Sequence, residues 1–481
     1  MKKSSLLSAI IWKILEKFGS KGIQVGIQII LARILIPDDY GIVALLTVFI
    51  SISNVFIQNG FSTSLIQKKE ASQEDFCTAL FTSMGIAVTC YVVLFFSAPF
   101  IASFYKMDGL AKYLRIQSLI LFAGAFNSVQ YAYVSRTLNF KAYTIATLIA
   151  SAASGVAGVL FAIHGFGVWS LIYQQLIANF LAVGILYSLV EWRVQLIFSV
   201  KSLKELFGYG WKILVSSLIN SLYSSMYDLI IGKVYTKELL GLYNRGKQFP
   251  FLITQNLNET VQSVTLPILS EMQDDAVGMK RRMKRALTLN AFVVFPAMMG
   301  MAAISYEFIY VILGVKWLEA VPYMTLLCIV YSMYPIHTMN IQCMKATGRS
   351  DLFLKLEILK KILEISMVII TVRHGIVAML LGQIILSIVG IPINVWPAKR
   401  IIGYGTMEQV KDLLPTIVAS AVMFVVVKMV CLLPINIIVR LLVEVIVGAV
   451  VFIAVSYLFK NEAMTYLIEM WKERKHKKNE S

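Results

Sequence analysis

Three lysines at four-residue spacing, Lys13, Lys17 and Lys21, run along the first apolar segment of the chain, and Gln24 and Gln28 continue the same helical stripe. A lysine that faces lipid near the bilayer centre is costly, so Lys17 and Lys21 are expected to face a watery or protein-lined cavity. There, clustered ammonium point charges would suit a compact anion. Lys13, at the start of the segment, reads instead as an interfacial residue whose stem snorkels toward headgroups. A second polar group centres on Glu259, with Gln255, Asn256, Asn258 and Gln262 around it in another apolar stretch. That cluster is hard to place against hydrocarbon and reads as cavity lining. Asp228, with Tyr223 and Tyr227 nearby, could bind a coupling proton or sodium ion, or could be a structural partner for Lys233 or Arg245. Glu357, Lys360, Lys361 and Glu364 stand at helical pairing distances and read as structural.

The elements that must position these residues follow from composition. Of 481 residues, 58% are hydrophobic and 15% charged, with mean hydropathy +0.74, too little charge to cover a soluble surface. Apolar runs of about 20 residues recur throughout, each able to cross a bilayer as a helix, whereas a membrane barrel would show alternating segments of about 10. The chain is therefore expected to be an all-α polytopic membrane protein with about fourteen transmembrane helices. The expected spans are 10–34, 41–66, 77–104, 114–135, 143–163, 168–190, 208–232, 240–268, 286–313, 319–344, 354–372, 376–397, 412–432 and 436–459. The first helix is interrupted by charge and lacks the smooth core and cleavage site of a signal peptide, so it should stay attached. Five cysteines (Cys77, Cys90, Cys328, Cys343, Cys431) lie in or beside apolar runs without a C-x-x-C pair. They read as small buried hydrophobes, with no metal site expected. The net charge of +17 sits mostly between apolar runs, without the aromatic interleaving of a nucleic-acid binder. Loop 280–285 and the tail 472–478 are expected to touch anionic membrane lipids.

Basic residues concentrate on alternate connections, 26 on one side against 7 on the other. By the positive-inside rule the richer side is cytoplasmic, and both termini belong to it. The chain also repeats itself. Trp12-Lys13-Ile14-Leu15 returns as Trp211-Lys212-Ile213-Leu214, Tyr40-Gly41 is answered by Gly241-Leu242-Tyr243, and His164-Gly165 by His374-Gly375. Three landmarks in a common order indicate a duplication of six helices, and an even number makes the copies parallel repeats. The expected organisation is an N-terminal six-helix lobe (1–206), a C-terminal six-helix lobe (207–400), and helices 13 and 14 with a basic cytoplasmic tail (401–481).

Several stretches carry a family resemblance. Leu31-Ala32-Arg33-Ile34-Leu35-Ile36-Pro37-Asp38-Asp39-Tyr40-Gly41 resembles the end of the first helix in bacterial polysaccharide exporters of the multidrug/oligosaccharidyl-lipid/polysaccharide (MOP) superfamily. Gly60 to Gln67, Ala98 to Tyr105, Val129 to Lys141 and Gly165 to Leu171 are similar to the same family, most of all to its colanic-acid and teichuronic-acid exporters among lipopolysaccharide biosynthesis proteins. The match is dense over residues 30–175 and looser after 207. The resemblance implies a flippase that moves an undecaprenyl-pyrophosphate-linked oligosaccharide repeat unit across the cytoplasmic (inner) cell membrane in surface polysaccharide biosynthesis. It supplies no set of binding residues.

With that substrate class in view, Lys17 and Lys21 are expected to hold the pyrophosphate, with Gln24, Gln28, Gln255 and Glu259 lining the same cavity and Asp228 as a possible site of ion coupling. Arg115, Gln117, Gln174, Gln175, Asn179, His337, Asn340 and Gln342 add hydrogen-bonding capacity that fits a sugar path and equally fits helix–helix bonds. The lobes would work by alternating access, without a cofactor beyond a proton or sodium ion. Other glycan-assembly membrane proteins are candidate partners and nucleic acid is not. No G-x-x-x-x-G-K-[ST] loop is present, so ATP hydrolysis by this chain is not expected. A drug or organic-cation antiporter on the same fold would favour an acidic, aromatic cavity over a basic first helix. A membrane enzyme is disfavoured by the short outer connections, and a non-transporting scaffold of a glycan-assembly complex is the remaining alternative.

Overall fold

The computed structural model describes residues 12, 13, 15–58 and 61–479, and the regular structure among them is all helical, with no strand. A π-helical turn, Glu16–Ser20, leads into α1 (Lys21–Ile34), followed by α2 (Pro37–Gln58), α3 (Phe61–Gln67), α4 (Gln73–Tyr105), α5 (Leu110–Gln117), α6 (Ile120–Thr137), α7 (Phe140–Ile163) and α8 (Val168–Leu189). Next come α9 (Val200–Ser224), α10 (Met226–Val234), α11 (Lys237–Ser270), α12 (Ala276–Ala303), α13 (Ser305–Ile312), α14 (Val321–Ser332) and α15 (Tyr334–Ala346). The chain closes with α16 (Ser350–Thr371), α17 (Ile376–Ile402), α18 (Thr406–Val430), α19 (Ile437–Leu458) and α20 (Glu462–Asn479).

Among the described residues, eight helices are long and apolar enough to cross a membrane. Of the other six expected spans, the first, 10–34, lies partly outside the described residues, and five coincide with helices that are broken or carry polar residues. The fourth breaks at Ser118–Leu119 between α5 and α6, the seventh at Ser225 between α9 and α10, and the tenth at Met333 between α14 and α15. The eighth and eleventh are unbroken helices, α11 and α16, diluted by Gln255, Asn258 and Glu259 and by Glu357, Lys360 and Lys361.

Helix ends are set by local chemistry. At α4 the Ser72 hydroxyl accepts from the Asp75 amide while Asp75 accepts from the Ser72 amide, a reciprocal cap, and Lys106 closes the helix at φ 53°. Asn139, Ser199 and Asp275 cap α7, α9 and α12 through side-chain oxygens. Lys68, between α3 and α4, pairs with Asp75 at 2.9 Å and with Glu205 of α9 at 3.0 Å. The hydrogen bond to Asp75 holds its ammonium above the ordinary lysine range.

The chain divides into two compact units, residues up to Asn244 and from Arg245 onward. The expected boundary at 206/207 falls inside the first, because α9 and α10 pack on α2, α3 and α4. In the first unit one core joins Phe61, Leu65, Phe76, Val129, Leu186 and Trp192. Helices α7 and α8 form its closest pair. Their seam uses small residues, and a Cβ built on Gly158 would lie 2.8 Å from the Gln174 side chain. In the second unit the main core gathers Met283, Leu287, Phe295, Met339, Cys343 and Leu413, and a further cluster links α12, α18 and α19.

A buried amide pair pins α15 to α18. Asn340 Nδ2 donates to Gln409 Oε1 at 2.9 Å and Gln409 Nε2 donates to Asn340 Oδ1 at 3.0 Å, with both residues at 0% exposure. Backbone carbonyls of Ile336 and Tyr404 take their remaining N–H groups. Gln409→Leu alone strands the Asn340 carbonyl and should cost about 1–3 kcal/mol. Asn340→Leu/Gln409→Leu should recover part of that loss, read by thermal unfolding in detergent. A double variant no better than the single would show that the pair does not matter as a pair.

Candidate functional site

In the first unit the candidate residues lie on α1 and the π turn before it. One face of α1 is spent on packing. Ile27 fills the notch at Gly155 of α7, where a Cβ would stand 2.0 Å from its Cδ1, and Ser20 donates to Thr147 Oγ1 at 3.3 Å. Leu31 and Ala32 are fully buried. Lys21, Gln24 and Gln28 stand at i, i+3 and i+7 on one face of the helix, which Leu31 and Ala32 continue. Lys21 and Gln28 are half-buried and Gln24 is exposed. Gly22 and Gly26 stand roughly 100–160° around the helix from these three, and a Cβ built at either would meet nothing within 4 Å. The exposed stripe of α1 is the one at Gly22, Gly26, Ile30 and Arg33, while Lys21, Gln24 and Gln28 lie on the side that carries the buried residues.

The lysine stripe does not continue as one α-helical face. The π turn at Glu16–Ser20 carries about one extra residue, which rotates the segment before it by roughly 100° relative to α1. Lys13, exposed, places its Nζ 5.1 Å over the Phe140 ring. Lys141 lies 5.9 Å over the Trp12 ring, and Thr144 donates to the Trp12 carbonyl at 3.0 Å, so this end of the segment is tied to the start of α7. The Lys17 side chain lies outside the described residues, as does that of Lys212, the counterpart of Lys13 in the sequence repeat.

In the second unit α11 brings Gln255 and Glu259 together: Gln255 Nε2 donates to Glu259 Oε1 at 3.0 Å, with both side chains exposed. Asn258, one residue earlier, faces the interior, and Gln262 is drawn into a bond from Gln342 of α15 at 2.9 Å. The polar cluster is therefore divided between an open edge and a helix–helix contact.

Asp228 occupies the first turn of α10 at 8% exposure, accepts from Asn244 Nδ2 at 3.1 Å, and lies where the helix dipole favours a negative charge. Nearby, Lys233 donates to the Phe104 carbonyl and sits 3.8 Å over that ring, and Arg245 donates to Gln248. The wider polar inventory is largely taken up in holding helices. Gln117 donates to Gln175 at 2.6 Å, Gln130 to the Val183 carbonyl at 3.2 Å, and Arg115 to the Phe95 carbonyl at 3.0 Å. His337 accepts from Asn394 at Nδ1 (2.7 Å), which leaves its Nε2–H to donate to Ser387 at 3.1 Å. Glu357 pairs with Lys360 one turn away.

One feature was legible only as a repeat landmark. Gly41 of α2 and Gly241 of α11 meet backbone to backbone within the first unit. A Cβ on Gly41 would lie 1.7 Å from the Lys237 carbonyl oxygen, and one on Gly241 would lie 2.0 Å from that of Pro37. Lys237 Nζ binds Asp38 at 2.9 Å beside this crossing. The hydrogen bond to the Asp38 carboxylate holds the Lys237 ammonium above its ordinary range, so the pair resists alkaline deprotonation.

The polysaccharide biosynthesis protein family model matches residues 30–322. The chain is 28% identical over 305 residues to the teichuronic acid biosynthesis protein TuaB of Bacillus subtilis, covering 62% of each chain. It is 24% identical over 318 residues to the succinoglycan biosynthesis transport protein ExoT of Rhizobium meliloti, covering 66% of this chain and 64% of that one. The lipopolysaccharide biosynthesis protein WzxC of Escherichia coli is 22% identical over 414 residues, 83% of each. The matched region thus spans under two thirds of the length of TuaB and of ExoT. Among solved structures, the lipid II flippase MurJ in an inward closed conformation superposes with TM-score 0.74 at 16% identity, over 94% of this chain and 99% of that one. An inward-facing multidrug resistance MATE family transporter of the MOP superfamily gives 0.58 at 15% identity, over 82% and 98%. The fold is therefore the one these transporters share, and the chain is a multi-pass integral membrane protein, as the apolar runs and the resemblance led one to expect.

Proposed function

The chain belongs to the polysaccharide biosynthesis protein family, and from that premise we propose that it is a flippase for lipid-linked oligosaccharide in the cytoplasmic membrane, a transporter and not an enzyme. The observation that carries this reading is the family match over residues 30–322, and the names of the relatives, attached to teichuronic acid, succinoglycan and lipopolysaccharide, support a glycan cargo. The cargo is an oligosaccharide repeat unit on undecaprenyl pyrophosphate, moved from the cytoplasmic to the outer leaflet by alternating access. Fourteen spans with both termini in the cytosol fit the charge asymmetry between connections.

Lys17 and Lys21 hold the pyrophosphate. Gln24 and Gln28 share a face of the first helix with Lys21. Gln255 and Glu259 offer hydrogen bonds to sugar hydroxyls. Asp228 takes the coupling proton or sodium ion, its Asn244 contact supplying one fixed neighbour. The fold shared with a drug transporter leaves the cargo open, and the basic first helix favours an anionic lipid head over an organic cation.

The test is the leaflet location of the lipid-linked glycan in cells lacking the protein, read by accessibility to a membrane-impermeant glycan-cleaving enzyme in right-side-out and inverted vesicles. The expected result is accumulation on the cytoplasmic leaflet, reversed by restoring the wild-type gene. A normal distribution, in a strain with no second flippase, would sink the proposal.

A further inference from the structure

Two glutamates in the second unit are buried inside apolar helices and are not used by the proposed transport path. Glu307 of α13 is at 0% exposure and Glu444 of α19 at 1%. Among the described residues, neither oxygen of Glu444 has a hydrogen-bond partner, nor has Oε2 of Glu307. Cys431, directly after α18, completes the group: its thiol donates to Glu307 Oε1 at 3.1 Å. One donor atom from each of the three lies within 4.8 Å of the other two. Arg440 of α19 stands 3.7 Å from Glu307 Oε1 through Nη1 and spends Nη2 on the Leu433 and Ile435 carbonyls. Lys428 of α18 is the other charged group facing the site.

A carboxylate removed from water and left without a hydrogen bond is among the costliest groups a protein can bury. Arg440 reaches Glu307 but gives Glu444 no bond, so the bare oxygens of Glu444 mark where a positive charge is missing. We propose that Glu307, Cys431 and Glu444 form a binding site for one thiophilic divalent cation of the Zn²⁺ class. The donor set decides the class. One sulfur with carboxylate oxygens selects borderline-soft ions of the Zn²⁺ type over Mg²⁺ or Ca²⁺, which prefer all-oxygen shells. Charge agrees: two carboxylates and a thiolate carry −3, which the dication and Arg440 offset while Lys428 adds a further positive charge nearby, with the thiol proton released to solvent on binding. Tetrahedral ligands stand about 3.5 Å apart, so the three side chains close in by up to about 1 Å around the ion. A fourth position is left for water, and half-exposed Cys431 at the α18–α19 turn gives a way in.

The site is tested on the full-length purified protein, stripped with chelator and titrated with Co²⁺ as a spectroscopic stand-in for Zn²⁺. One Co²⁺ per chain is expected, with a thiolate-to-cobalt charge-transfer band in the near ultraviolet. Cys431→Ser should abolish that band while Cys90→Ser keeps it. Glu444→Gln should weaken affinity by more than the 10–100-fold typical of losing an outer-shell partner. Glu444→Gln removes a buried charge without changing shape, so its folding is expected to survive, and a wild-type-like melting curve without metal would confirm that. Absence of stoichiometric binding by the wild type, or a band that persists in Cys431→Ser, would overturn the assignment. A pH-dependent melting temperature with no metal binding would mean that the glutamates share a proton, and would overturn it equally.

Discussion

An alanine at Gly41 is expected to abolish most flipping and to lower the unfolding temperature, while Lys237→Gln beside it barely changes either. The comparison isolates what holds α2 to α11. A methyl group on Gly41 would start 1.7 Å from the Lys237 carbonyl oxygen, where ordinary contact needs about 3.5 Å. The opposing atom is backbone, so no rotamer change relieves the overlap and the two helix starts must move apart. Overpacking a tight contact costs about 1–3 kcal/mol even where side chains can adjust. The adjacent ion pair is weak by contrast: Lys237 and Asp38 are 45% and 29% exposed, and such pairs contribute about 0–1 kcal/mol. Gly241→Ala should reproduce the Gly41→Ala defect, because its Cβ would meet the Pro37 carbonyl at 2.0 Å. Thermal unfolding and the vesicle assay, run on all three variants at equal expression, decide the matter. Wild-type behaviour of Gly41→Ala would show that the crossing is not held as described.

That crossing also shows what the sequence could reveal. Tyr40-Gly41 and Gly241-Leu242-Tyr243 were readable as equivalent landmarks of a duplication, because a glycine at matching depth in two apolar segments repeats visibly. Spacing gives equivalence and says nothing of contact, so the direct meeting of the two glycines was invisible. The helical membrane fold was legible for a simple reason: in lipid every backbone polar group must be satisfied within the segment, which leaves long apolar runs one structure. The breaks at Ser118–Leu119, Ser225 and Met333 were not, since serine and methionine in apolar surroundings are compatible with an unbroken helix. The candidate site was legible in part. Lys21, Gln24 and Gln28 do share a face, whereas the stripe from Lys13 assumed 3.6 residues per turn across a segment that contains a π turn. Glu307 and Glu444 could each have been flagged as lone acids within apolar runs. Their meeting with Cys431 depends on how α13, α18 and α19 pack, which no spacing encodes.

The largest loss of transport is expected from the first-helix lysines. Lys17→Ala/Lys21→Ala should reduce flipping by two orders of magnitude or more at wild-type expression. A hydrogen bond to a charged group contributes about 1.5–3 kcal/mol, so losing two removes about 3–6 kcal/mol from pyrophosphate binding, and each 1.4 kcal/mol is tenfold. Overlap between the two lysines pulls the figure toward the lower bound, because one remaining ammonium can partly neutralise the diphosphate. The geometry around Lys21 sharpens the expectation. Lys21 is half-buried and not in the core, so truncation there removes a charge without opening a core cavity, and the melting temperature should hold. Gly22→Ala and Gly26→Ala each add only a Cβ that meets nothing within 4 Å, so both should fold normally. Lys17→Arg/Lys21→Arg keeps the charge and should retain much of the activity, whereas Lys13→Ala, its ammonium lying over Phe140, should cost little. Flipping measured against substrate concentration separates a lost grip, which raises the half-saturating concentration, from a damaged fold, which lowers the amount of active protein. Full transport by the double alanine variant would remove the lysines from the pyrophosphate site and leave the polar edge of α11, at Gln255 and Glu259, as the part of the proposal still to be tried.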